Sequence, residues 1–139
     1  MSGINKEKHM NISGNKVLVN KSQKETFHFL TDLKNFEQLM PASIQKFEVD
    51  EDSFIFGLKG MPEIRLVLKD KTEHSNVTLG AASSKLNFEL VANIEEIDDT
   101  SSEVQLDFNG EFNMMMAMMV KKPLTSFIET LTDNLEGLS

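Results

Sequence analysis

The chain has 139 residues, enough for one ordinary domain, and its 40% hydrophobic content is well above that of a disordered chain. It has no cysteine, which excludes disulfides, thiol nucleophiles and thiolate metal sites, and its one notable apolar run (residues 114–120) falls far short of the about 20 residues of a membrane-spanning helix. Against 22 Asp and Glu there are 14 Lys and Arg, a net charge of −8 that repels phosphate backbones and anionic lipid surfaces.

Residues 1–9 are polar and read as a flexible N-terminus without the apolar core of a secretory signal, so a cytoplasmic protein is expected. Residues 10–20 read as the first strand. Ser22 has the character of an N-cap, and Glu25 three residues later completes a capping box. Phe27, Leu30 and Leu33 then recur at helical spacing, widened by Phe29, Phe36 and Leu39. A break near Asp32 to Asn35 divides this stretch into two short helices, the second stopped by Pro41.

A short strand over 44–49 opens a series with period two, the mark of antiparallel strands buried on one face. Phe54, Phe56 and Leu58 share a face, as do Ile64, Leu66 and Leu68, opposite Arg65, Lys69 and Lys71. Val77, Leu79 and Ala81 continue the pattern. Leu86, Phe88, Leu90, Ala92 and Ile94 follow, and then Val104, Leu106, Phe108, Gly110 and Phe112. Polar turns are expected at Gly60-Met61-Pro62-Glu63, His74-Ser75-Asn76, Ser83-Ser84-Lys85 and Asp98-Asp99-Thr100-Ser101. The chain closes with a helix whose apolar stripe is Leu124, Phe127, Ile128, Leu131 and Leu135; Pro123 marks its first turn or a kink in a longer helix. A sheet that is wet outside and apolar inside must bury its inner face, and this helix is the available cover.

The Asn20-Lys21-Ser22 start of a helix containing Phe27, Phe29 and Leu30 is followed by Asp32-Leu33-Lys34-Asn35-Phe36 and Met40-Pro41. A six-strand meander comes next, and then the segment from Phe112-Asn113 to Pro123-Leu124. In this order of elements, over residues 10–138, the chain resembles the SRPBCC superfamily. That is the helix-grip fold of START lipid-transfer domains, the birch-pollen-allergen group and aromatase/cyclase-like proteins. The resemblance implies an α+β helix-grip fold. A curved seven-stranded antiparallel sheet wraps a long C-terminal helix, two short helices follow strand 1, and residues 10–139 form a single domain. It also implies a deep apolar cavity used for lipids, sterols or polyketides. The superfamily shares no catalytic residues, so none transfers.

The residues themselves offer little chemistry. Every clear inward position from Phe54 to Phe112 is apolar or Gly, while Glu89, Glu95, Asp107 and Glu111 fall on the other face unless a bulge turns one inward. Glu95-Glu96 and Asp98-Asp99 read as solvated strand ends. His9 and His74 lack ligand spacing to another donor. His28 reads as surface, with a general base at the cavity mouth as the alternative. Arg65, the single Arg, reads as outward, or as an anchor for a ligand carboxylate if it turns in. No triad, phosphate loop or metal cluster is present, and no cofactor is expected. Trp and Tyr, enriched at interaction hot spots, are absent.

The unusual feature is Met114-Met115-Met116-Ala117-Met118-Met119-Val120. If helical, Ala117 and Val120 extend the apolar stripe and Met115 and Met119 lie on the far side. The five methionines are then packed beneath loops, or form an adaptable cavity lip or a homodimer contact; copper ligation through thioethers is a fourth reading.

The expected function is non-catalytic binding or transport of a small hydrophobic, lipid-like or polycyclic molecule between sheet and C-terminal helix. The expected lining is Phe54, Phe56, Leu66, Leu79, Phe88, Leu90, Leu106, Phe108, Phe112, Met116, Val120 and Phe127. Two alternatives stay open: a dimerising interaction module with a filled core, and an aromatase/cyclase-like enzyme.

Overall fold

The computed structural model describes residues 7–60, 63–82 and 87–138. Its strands are β1 (Glu7–Ser13), β2 (Val17–Val19), β3 (Lys46–Val49), β4 (Ser53–Gly57), β5 (Ile64–Thr72), β6 (Asn76–Ala81), β7 (Asn87–Asp98) and β8 (Ser101–Asn113). Helix α1 (Gln23–Thr31) and a 3-10 helix (Leu33–Leu39) follow β2, and α2 (Met114–Glu136) closes the chain. The strands make one antiparallel sheet in the order β1-β8-β7-β6-β5-β4-β3, with β2 pairing the start of β8. Helix α2 packs most closely on β8, β1, β2 and the 3-10 helix. This is the helix-grip arrangement. Among the described residues no helix is long and apolar enough to cross a membrane.

Local chemistry sets the element boundaries. The Ser22 side chain accepts from the Glu25 N–H at 3.1 Å while Glu25 accepts from the Ser22 N–H at 3.0 Å, the reciprocal capping box that starts α1. Asp32, extended at φ −93° and ψ 100°, ends α1, and its carboxylate caps the 3-10 helix through the Lys34 N–H. Asn113 caps α2, accepting from the Met116 N–H at 2.8 Å.

Three boundaries differ from the sequence expectation. The single strand expected over 10–20 begins at Glu7 and is broken in two at residues 14–16. At the break the Gly14 N–H donates to the Leu106 carbonyl at 2.8 Å, and a Cβ on Gly14 would sit 2.6 Å from the Thr132 Oγ1 of α2. A side chain at position 14 would therefore have to displace Thr132 of α2, which glycine avoids. The strand expected from Ile44 starts at Lys46, because the Ile44 N–H closes a turn onto the Pro41 carbonyl at 3.0 Å. In β5 the register shifts between Leu68 and Asp70, so Leu68 is only partly buried. The turns expected at Met61-Pro62 and Ser83-Ser84-Lys85, and the inward position of Leu86, lie outside the described residues.

The methionine run is the first part of α2, which corrects the reading that loops bury all five. Capped at Asn113, the run winds about a helix with one side on the sheet. Ala117 and Val120 face in, whereas Met114, Met115, Met118 and Met119 are 57, 80, 79 and 48% exposed. Pro123 lies inside this helix and has no N–H for the Met119 carbonyl, so the kinked-helix alternative places it correctly within a longer helix.

Candidate functional site

A cleft of about 450 Å³ opens where three elements converge. The loop after the 3-10 helix contributes Pro41, Ser43 and Gln45, the end of β4 and its turn contribute Leu58 and Lys59, and α2 contributes Pro123, Ser126, Phe127 and Thr130. The loop is held beside the helix by Asn134 Nδ2, which donates to the Leu39 carbonyl at 2.8 Å. It is held beside the sheet by the Gln45 N–H, which donates to the Gly57 carbonyl at 3.0 Å.

The cleft is polar at its rim and apolar at its floor. Leu58 and Phe127 are buried, and the Phe127 ring lies parallel to Phe56 at 4.6 Å and 6°. From there Phe54 follows at 6.0 Å, and Phe36 and Phe47 flank Phe54 at 5.1 and 5.3 Å. A row of aromatic rings thus runs from the cleft floor to the inner face of the sheet, each pair at ordinary aromatic contact distance. At the other end of the sheet Phe88, Phe108 and Phe112 stack at 5.7 to 6.5 Å. Gly110 makes room for them: a Cβ there would meet Phe112 at 2.8 Å and Phe88 at 2.9 Å.

Of the twelve residues expected to line a ligand cavity, the structure brings eleven into one contiguous buried cluster, with Met116 packed against it in partial burial. Only Phe127 also reaches the cleft, with Phe56 directly beneath it. The others, from Leu66 and Leu79 on the sheet to Val120 on α2, lie deeper in the core. Sequence reasoning missed Ser43, Gln45, Lys59, Ser126 and Thr130. They sit in loops or on the polar flank of α2, where hydrophobic periodicity carries no signal.

Titratable groups lie away from the interior. Among the described residues the buried polar side chains are Thr26, Ser53, Ser102 and Thr132. Thr26 and Ser102 share a hydrogen bond at 2.8 Å, and Ser102 donates to the Lys21 carbonyl at 2.9 Å. Ser53 accepts from Arg65 Nη1 at 2.7 Å, and the Arg65 guanidinium stays at the surface beside Asp50 at 3.6 Å. Asp107 faces outward and accepts from the Ser13 hydroxyl; Glu111 is also exposed. Two carboxylates have displaced pKa values. Glu25 is held below its usual range by the Ser22 N–H and hydroxyl, and Asp98 by the Thr100 N–H and the Ser101 hydroxyl. Both serve local geometry, at a helix start and in the β7–β8 turn.

His28 is exposed on α1 and His74 lies in a turn, as the sequence indicates, whereas His9 does not lie in a frayed terminus. His9 belongs to β1, and the β5–β6 turn carries His74 over α1, its backbone at φ 68°. His74 and His28 come within 6.0 Å of each other, both edge-on to Phe27. Among the described residues no group of three His, Asp or Glu is placed to hold a metal ion.

Solved structures share this architecture at low sequence identity. A START superfamily protein from Mycobacterium smegmatis superposes with a TM-score of 0.69 at 17% identity, covering 94% of this chain and 96% of that one. Norcoclaurine synthase from Thalictrum flavum, solved with dopamine and hydroxybenzaldehyde, gives 0.69 at 10% identity, covering 95% and 87%. A conserved protein from Geobacillus kaustophilus gives 0.64 at 13%, covering 92% and 93%. No family model matches the sequence, and no curated protein matches it. These likenesses establish the helix-grip fold and nothing about chemistry.

Proposed function

We propose that this helix-grip domain binds a small apolar molecule, lipid-like or polycyclic, through the cleft beside Phe127, without transforming it. The observation that carries the reading is the position of the cleft. Its floor is Leu58 and Phe127, and Phe56 stacks on Phe127 from within, so a ligand seated there lies against the head of the aromatic row leading inward. Apolar ligands gain affinity by leaving water against such surfaces, while a few polar groups fix their orientation. Here the rim offers the hydroxyls of Ser43, Ser126 and Thr130, the amide of Gln45, and Lys59 as its single titratable group. That set fits a ligand with an apolar body and one anionic or hydrogen-bonding end. The remaining expected residues, from Phe54 and Leu66 to Phe112, Met116 and Val120, serve as the deeper wall that a longer ligand reaches by displacing Phe127. The setting is a cytoplasmic domain of residues 10–139 working without a cofactor.

The geometry favours this reading over an aromatase/cyclase-like enzyme, because among the described residues the buried polar side chains are hydroxyls and the cleft lining contains no Asp, Glu or His. A second reading has its own observation: the four exposed methionines of α2 form an apolar surface suited to self-association.

The test uses 8-anilinonaphthalene-1-sulfonate, an apolar body with one anionic end, and a variant, Ser126→Trp, that fills the cleft from an exposed position. The probe is expected to bind the wild type with enhanced, blue-shifted fluorescence, and binding should fall at least about tenfold in the variant. Equal affinity in a variant with unchanged circular dichroism and unfolding cooperativity overturns the assignment.

A further inference from the structure

A second groove, of about 310 Å³, runs between β1 and the N-terminal half of α2. On the helix it is lined by Met114, Ala117, Met118 and Lys121, an i, i+3, i+4, i+7 stripe, and on the strand by residues 9–11. β1 is an edge of the sheet, paired to β8 on one side with no described strand on the other. On an edge strand alternate N–H and C=O groups point away from the sheet, and proteins commonly guard them with Lys, Pro or a bulge. β1 carries one Lys, at position 8 near its start; the stretch about Met10, His9-Met10-Asn11-Ile12-Ser13, has neither Lys nor Pro, and the pairing of β1 to β8 runs without a register shift.

We propose that a second copy of the chain docks in this groove. The two β1 strands pair antiparallel about Met10, and the two methionine stripes pack together above them. The proposal rests on the reading of the methionine face as a self-association surface and adds the strand edge to it. A two-fold axis perpendicular to the sheet at Met10 continues the sheet from one protomer into the other and keeps both α2 helices on the same face. Each Met114–Met118 stripe then lies over the paired strands and faces its counterpart. Ala117, the small residue between them, lets the two helices approach.

Exposed apolar surface and charge both favour this occupant. The two methionines of the groove, Met114 and Met118, are 57 and 79% exposed and together present more than one whole side chain of apolar surface beside the free strand edge. A stable interface takes about 800 Å² per partner, so the paired strands and the side chains of residues 9–11 supply the larger share. A chain of net charge −8 resists self-association wherever acids meet, and the groove lining contains no acid. Thioether side chains pack against their own kind without a register of charges to satisfy.

Sedimentation velocity of the wild-type chain over a concentration series, with amide exchange followed across β1, tests both halves of the proposal. The expected result is a dimer in which β1 amides gain protection as concentration rises. Met118→Glu, at a site 79% exposed and outside the core and the cleft, should weaken that dimer by about tenfold or more. A dimer that forms with no gain in β1 protection overturns the strand pairing and leaves the methionine reading standing. A dimer of unchanged affinity in Met118→Glu overturns the methionine seam. A wild-type chain that stays monomeric to millimolar concentration overturns both.

Discussion

Truncating Phe127 to Ala tests the packing and the site together. The ring is 2% exposed and stacked on Phe56 at 4.6 Å, so the substitution removes a buried aromatic from the junction of α2 and β4. Phe→Ala changes in cores cost about 3–5 kcal/mol, of which about 0.5–1.5 reflects the lost aromatic pair. Because the hole would adjoin a cleft of about 450 Å³, water can fill it, which argues for the lower end, about 3 kcal/mol. For a chain of this size that lowers Tm by roughly 10 °C, at about 3 °C per kcal/mol. Urea unfolding with an unchanged m-value reads the loss directly. The truncation should also enlarge the site for a small aromatic: indole is expected to raise Tm more in Phe127→Ala than in the wild type. A loss under about 1 kcal/mol refutes the packing argument. The expected loss without a larger response to indole refutes the claim that the cleft leads into the aromatic row.

Further outcomes follow from the same geometry. Gly14→Ala should destabilise by about 1–3 kcal/mol, because its Cβ meets Thr132 Oγ1 at 2.6 Å. In a Thr132→Ala background, urea unfolding should show a clearly smaller penalty for the same change, and an equal penalty would deny the contact. Thr132→Val, which removes a buried hydroxyl without a partner among the described residues, should be neutral or stabilising by up to about 1 kcal/mol in the same assay. Asn113→Ala should cost about 1 kcal/mol of thermal stability by uncapping α2. Glu25 and Asp98 titrate below their ordinary values of 4.5 and 3.8 in the folded chain. Their contribution is therefore complete above those values and is lost as pH falls through the lowered folded ones. Tm measured from pH 6 downward should drop less steeply in Glu25→Gln and Asp98→Asn than in wild type; parallel curves would reject the assignment.

Sequence alone determined which residues are buried, because burial on a strand or helix follows a period that can be counted. The alternation at Phe54 and Phe56, at Val104 to Phe112, and the stripe from Leu124 to Leu135 all correspond to the core. The capping box at Ser22 and the break at Asp32 were legible for a related reason: both act within four residues of chain. Tertiary contact decided the rest. At the break in the first strand, position 14 must be small because Thr132, more than a hundred residues later, occupies the space a side chain would need. Four methionines face solvent because the sheet covers only one side of α2, and how much of a helix is covered is not written in its own period. The cleft of Ser43, Gln45, Lys59, Ser126 and Thr130 is assembled from three segments remote in sequence, each polar or irregular by itself. Periodicity reports what an element hides, and a site is built from what several elements leave open together.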